Sequence, residues 1–139
     1  MPDRNLKRCI LLVSLVLFIV SLTQKSFCTT ANCGDSIMAF LLGWAALAGP
    51  GIVWLANPLL FIAWFTLKRN LRLSMFMSMF AALLALSFLL FTDMNDNESG
   101  VRHQIVSYKM GYWLWVGSTL CMLIGTFTLM LRHNNKNAG

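Results

Sequence analysis

Cys28 and Cys33, separated by four residues, have the types and spacing in this chain most able to do chemistry. Two thiols that close in sequence, with Gly34 allowing a tight turn, can join as a disulfide in an oxidising compartment or exchange electrons with a partner thiol. A second cluster, Asp93, Asp96, Glu98 and His103, holds oxygen and nitrogen ligands that a divalent cation could use. It has no repeated ligand spacing, and Asn, Gly and Asp are the residues of a solvated turn, so no metal is expected there. Asn57 is a lone amide within an otherwise apolar run. Such a side chain either fixes helix packing by hydrogen bonding or marks a polar point on a solute path. With no intramembrane charge beside it, packing is the expectation.

The elements that carry these residues follow from composition. Hydrophobic residues make up 58% of the chain and charged residues 12%, about half the charged share of an ordinary soluble domain. The apolar residues are gathered into runs, with the charges in short gaps between them. Runs of ~20 apolar residues cross the ~30 Å hydrocarbon layer as helices, and a barrel would need strict alternation instead. The expected fold is all-α: one integral membrane domain over 1–139, with four transmembrane helices at about 6–23, 52–67, 73–92 and 111–131. The first run could also be a cleaved signal, with a small-residue site near Thr29-Thr30-Ala31; an uncleaved span is preferred because Lys25 interrupts that pattern.

Charge sets the orientation. Arg4, Lys7, Arg8, Lys68, Arg69, Arg72, Arg132 and Lys136 fall on one side of such a bundle, with Asp3 as the acid among them. The other side carries Lys25, Arg102 and Lys109 against four acids. Positive residues stay inside, so both termini are expected in the cytoplasm and Cys28 and Cys33 outside. The net +6 then reflects orientation and anionic lipid, and no nucleic-acid partner is expected because there is no continuous basic face with interleaved aromatics.

Residues 36–67 would form a helix of ~48 Å, too long for one upright crossing. Two crossings would put Lys68, Arg69 and Arg72 outside, against the charge rule. The expectation is therefore an outer-leaflet helix at about 37–48, a break at Gly49-Pro50-Gly51, and one crossing from about 52, or else a single kinked and tilted helix. Pro58 cannot bond the carbonyl of Trp54, so a kink is expected at Asn57-Pro58.

Small residues recur on two faces: Ser74, Ser78, Ala82 and Ala85 on the third span, and Gly117, Cys121 and Gly125 on the fourth. At this spacing helix backbones approach closely, within a bundle or between copies. Trp44, Trp64, Tyr108, Tyr112, Trp113 and Trp115 fit interfacial belts. Cys9 and Cys121 lie within spans and read as inert thiols, and Met75, Met77, Met79 and Met94 as packing groups rather than ligands.

Inner-membrane oxidoreductases that pass electrons from disulfides to quinone also have four spans and outer-loop cysteines. This chain departs from them: its spacing is C-x4-C, not C-x-x-C, and its second outer loop has no cysteine. The segments Trp54-Leu55-Ala56-Asn57-Pro58 and Gly111-Tyr112-Trp113-Leu114-Trp115 resemble small bacterial inner-membrane proteins without an assigned activity, over roughly residues 43–125. That resemblance implies a bacterial inner membrane. The expected function is non-enzymatic and cofactor-free: a helical bundle acting through lipid, a membrane-protein partner or its own copies. The competing readings are a small-solute transporter and a thiol–disulfide enzyme using Cys28 and Cys33.

Overall fold

A computed structural model describes residues 2–29, 33–46, 50–91, 93–95 and 102–139. It is mostly helical. The helices are α1 (Asp3–Leu22), α2 (Ser36–Leu42), α3 (Ala56–Thr66), α4 (Leu71–Ser87) and α5 (Met110–Ala138). Three helical stretches, Asp3–Leu22, Leu71–Leu90 and Met110–Ala138, are long and apolar enough to cross a membrane. Between α2 and α3 the backbone winds as 3-10 helix at Gly43–Ala46 and Pro50–Leu55. Residues 47–49, which include the expected hinge glycine Gly49, lie outside the described set, as do the cleavage-site residues Thr30 and Ala31. Asn70 caps α4 by accepting from the Leu73 amide at 3.1 Å, which satisfies one of the free donors at a helix start.

The expectation of an all-α chain needs correcting at one end. Strands β1 (Lys25–Thr29), β2 (Cys33–Asp35), β3 (Asp93–Asn95) and β4 (Arg102–Tyr108) form an antiparallel sheet in the order β2-β1-β4-β3. Two segments read as loops are thus one structure, because β1 finds its partner about eighty residues away: Phe27 pairs with Tyr108 and Cys28 with Ser107. Asp93 and His103 fall on strands β3 and β4, while Asp96 and Glu98 lie outside the described residues.

The bundle buries hydroxyl side chains among its apolar core residues, while large apolar side chains lie outside. Ser14, Ser74, Ser78, Ser118, Thr119 and Thr126 have no exposed surface, while Phe65 is 81% and Leu90 83% exposed. Water would reverse this arrangement; a hydrocarbon surrounding permits it, since lipid gives apolar side chains no reason to turn inward. Each of these six hydroxyls is satisfied. Thr126 Oγ1 donates to the Met122 carbonyl at 2.7 Å, Ser74 Oγ to the Ala63 carbonyl of α3 at 2.8 Å, and Ser14 Oγ to the Ser118 carbonyl of α5 at 2.9 Å. Trp64 Nε1 donates in turn to Ser14 Oγ at 3.0 Å, so one polar chain ties α3, α1 and α5.

Side-chain size sets how closely the helices approach. A methyl group on Gly125 would lie 2.6 Å from the Ile10 side chain, and Gly117 faces Leu17. Cys121 Sγ stands 4.0 Å from the Ile10 carbonyl. The small face of α5 is therefore where α1 packs. Ser78 of α4 meets Thr126 of α5 at 3.4 Å. Between α1 and α3 the gap is wider and filled by rings: Phe18 packs edge-on against Phe40, Phe61 and Trp64 at centroid distances of 5.5–5.7 Å. Pro58 stands in the first turn of α3, where 3-10 winding gives way to α, so its missing N–H costs little.

Candidate functional site

The end of the bundle next to the sheet is built by close backbone approach. Gly111, at the start of α5, lies against Ser36 Oγ and 2.6 Å (from a hypothetical Cβ) to the Lys25 carbonyl. Any larger residue there would push α5 from β1 and α2. Tyrosines then hold the upper end of α4. Tyr112 Oη donates to the Ala85 carbonyl at 2.7 Å and Tyr108 Oη to the Phe88 carbonyl at 3.2 Å. Burial pushes the Tyr108 phenol above its ordinary value, because the phenolate would lose hydration. Phe88, Tyr108 and Tyr112 stack with centroids 4.9–5.6 Å apart.

Beneath this layer is a cavity of about 100 Å3. Its wall is aromatic: Phe18 from α1, Phe27 from β1, Phe40 from α2, Trp54 from the 3-10 turn, Phe88 after α4, and Tyr112 and Trp115 from α5. Asn57, Ser26 and Ser36 supply the polar groups, and among the described residues no charged side chain lines it. Trp54 is fixed by donation of its Nε1 to the Phe40 carbonyl at 2.6 Å, with Gly43 making room for the ring. Asn57 is 5% exposed. Its Oδ1 accepts from Trp115 Nε1 at 2.8 Å. The indole nitrogen can only donate, so the amide oxygen must face it and Nδ2 must point elsewhere. Among the described residues Nδ2 meets no partner. Ser36 Oγ is buried without one.

Asn57 thus bonds α5 rather than the carbonyl freed by Pro58. Gly117, Cys121 and Gly125 lie along the α1 contact, and Pro58 joins the two helix types; none of these four lines the cavity. Cys28 and Cys33 are register partners on the adjacent strands β1 and β2. Cys28 is buried, directly after the cavity-lining Phe27. Cys9 and Cys121 are the free cysteines among the described residues. Trp44 and Trp113 are exposed as a belt residue should be, but Tyr112 and Trp115 turn inward.

No family model, no curated protein and no solved structure matches the chain. Its own geometry has to carry the reading. The cavity offers shape, rings and hydrogen-bond donors, which is equipment for binding. Among the described residues there is no group of three or more His, Cys, Asp or Glu able to hold a metal. Sequence reasoning missed Ser36 and the lining rings Phe18, Phe27, Phe40 and Phe88, and it read Trp115 as an interfacial anchor. Trp115 carried a signal, since an indole and an amide in apolar runs need each other, but nothing in the sequence paired them.

Proposed function

We propose that the chain is a non-enzymatic, four-crossing integral membrane protein of the bacterial inner membrane that acts by contact, with lipid, a protein partner or its own copies, at its outer end. The observation that carries this reading is the separation of the two ends. Asp3 pairs with Lys136 at 2.8 Å and approaches Arg132 at 3.8 Å, which sets the start of α1 beside the end of α5. The α3–α4 turn with Lys68, Arg69 and Arg72 lies at that same end, because Ser78 meets Thr126 and Ser74 meets Ala63. Basic residues gather there and the sheet and cavity lie opposite, so the charge rule puts both termini in the cytoplasm. Three helices have crossing length. The fourth crossing is the 3-10 turn Pro50–Leu55 continued by α3, roughly 28 Å long at ~2.0 and ~1.5 Å per residue, close to the ~30 Å required. The shorter α2 then lies in the outer leaflet.

Cys28 and Cys33 form a structural disulfide in this reading. Their direct cross-strand pairing supports it, and the burial of Cys28 argues against exchange with a soluble protein. The same pairing also keeps the thiol–disulfide enzyme as a second reading; trapping a mixed disulfide in a Cys33→Ser variant would favour it.

Two experiments test the proposal. Single-cysteine labelling from each side should place Lys68 and Lys136 inside and Gln24 outside; labelling of Lys68 from outside would overturn the four crossings. Photo-crosslinking from Trp44 and Trp113 in native membranes should yield lipid or protein adducts. Adducts unaltered by Asn57→Ala and Gly125→Leu would count against action by contact.

A further inference from the structure

We infer that the cavity beneath the sheet binds a neutral apolar group no larger than a single ring that carries one hydrogen-bond-accepting oxygen, as in a phenol or a cyclic ketone. The inference rests on the reading of the chain as membrane-embedded, which labelling tests separately.

The acceptor follows from Asn57. Trp115 fixes the orientation of the amide, so Nδ2, in a residue that is 95% buried, keeps no hydrogen bond to any of the described residues. A donor that lines an apolar cavity without a partner gains a hydrogen bond when an acceptor oxygen enters. Ser36 Oγ, also buried and unpartnered, adds a second group at the same cavity. Neutrality follows from the wall. An ionised ligand would lose its hydration and find no charged side chain among the described residues there.

The size follows from the volume. About 100 Å3 is smaller than the ~150 Å3 apolar cavity known to take benzene, so a ring fits with slight yielding and a whole lipid does not. Aromatic walls suit a ring, which gains edge-to-face contacts. The same ring and oxygen can arrive free or as the head of a tailed membrane lipid, because the shared chemistry lies in the part that enters the cavity.

Phenol and toluene have the same shape and differ in the oxygen, so they are the probes, used with the full chain in detergent and detected by ligand-observed NMR. The wild-type protein should bind both and prefer phenol. Asn57→Leu should reduce that preference about five- to tenfold, the worth of one hydrogen bond of about 1 kcal/mol, while still binding toluene. Ala39→Leu, which adds bulk at another lining position of the cavity, should abolish both. It also keeps the test decisive if Asn57→Leu fails to fold. An unchanged preference in Asn57→Leu, or wild-type binding by Ala39→Leu, overturns the inference. Nonylphenol set against nonylbenzene identifies the source: a preference larger than that for phenol over toluene supports the site with a tailed lipid as ligand, and an equal one supports it with a free small molecule.

Discussion

Trp115 Nε1 donates to Asn57 Oδ1 at 2.8 Å, joining α3 to α5 across 58 positions in sequence through a pair of side chains that sit in apolar runs. An apolar surrounding offers neither group an alternative partner, so each depends on the other. Asn57→Leu is expected to cost about 0.6–2 kcal/mol, the range for hydrogen bonds between membrane helices. Trp115→Phe should cost a similar amount, and the double variant less than the two together. Reversible unfolding in mixed micelles measures the cycle; strict additivity would mean the bond contributes nothing.

Gly125 is the tightest point of the α1–α5 contact, since a methyl there would lie 2.6–2.7 Å from three atoms of Ile10. Gly125→Val is expected to lower stability by about 1–3 kcal/mol through overpacking. Ile10→Ala in the same chain should recover much of that loss. Gly117→Ala should be mild, because its nearest neighbour, Leu17, stands 3.9 Å away.

Cys28 and Cys33 are register partners on the adjacent strands β1 and β2. Alkylation with and without prior reduction, read by mass, should find them protected until reduced, while Cys9, which is exposed, reacts in an unfolded chain either way. Replacing both with Ser is expected to cost on the order of 2 kcal/mol, the loop-entropy value for so short a ring. Equal labelling of Cys28 before and after reduction would exclude the bond.

Tyr108 gives the sheet–bundle junction a pH dependence. Its folded value is raised by burial, so the neutral phenol is the form that the folded protein favours. That contribution is fully present below the ordinary value of about 10 and is lost as pH rises through the folded value. Absorbance of tyrosinate should therefore develop above the ordinary value for Tyr108, and Tyr108→Phe should remove one tyrosine's share of the signal. A Tyr108 that titrates at the ordinary value would place its hydroxyl in water.

The sequence was legible where the physics is local. Apolar runs marked α1, α4 and α5, which have the length and composition of membrane-crossing helices. The spacing of Gly117, Cys121 and Gly125 marked a contact face, though it did not say that Ile10 and Leu17 fill it. Strands β1 and β4 were hidden by their shortness and by the distance between partners; Phe27 opposite Tyr108 is a pair that no local pattern specifies. The rings around the cavity read as interfacial anchors, and that reading suits Trp44 and Trp113 but not Tyr112 or Trp115.

The sequence by itself determined which segments are apolar, how charge divides between the gaps, and which residues are small enough for close packing. These depend on residue type and spacing alone. Only the tertiary structure decided that two loops make one sheet, that Asn57 turns its oxygen to Trp115 and leaves Nδ2 unpaired, and that six separate elements contribute rings to one cavity. The physical reason is that a hydrogen bond or a cavity wall belongs to groups brought together in space. Here those groups come from both ends of the chain, and no periodicity along it records that they meet.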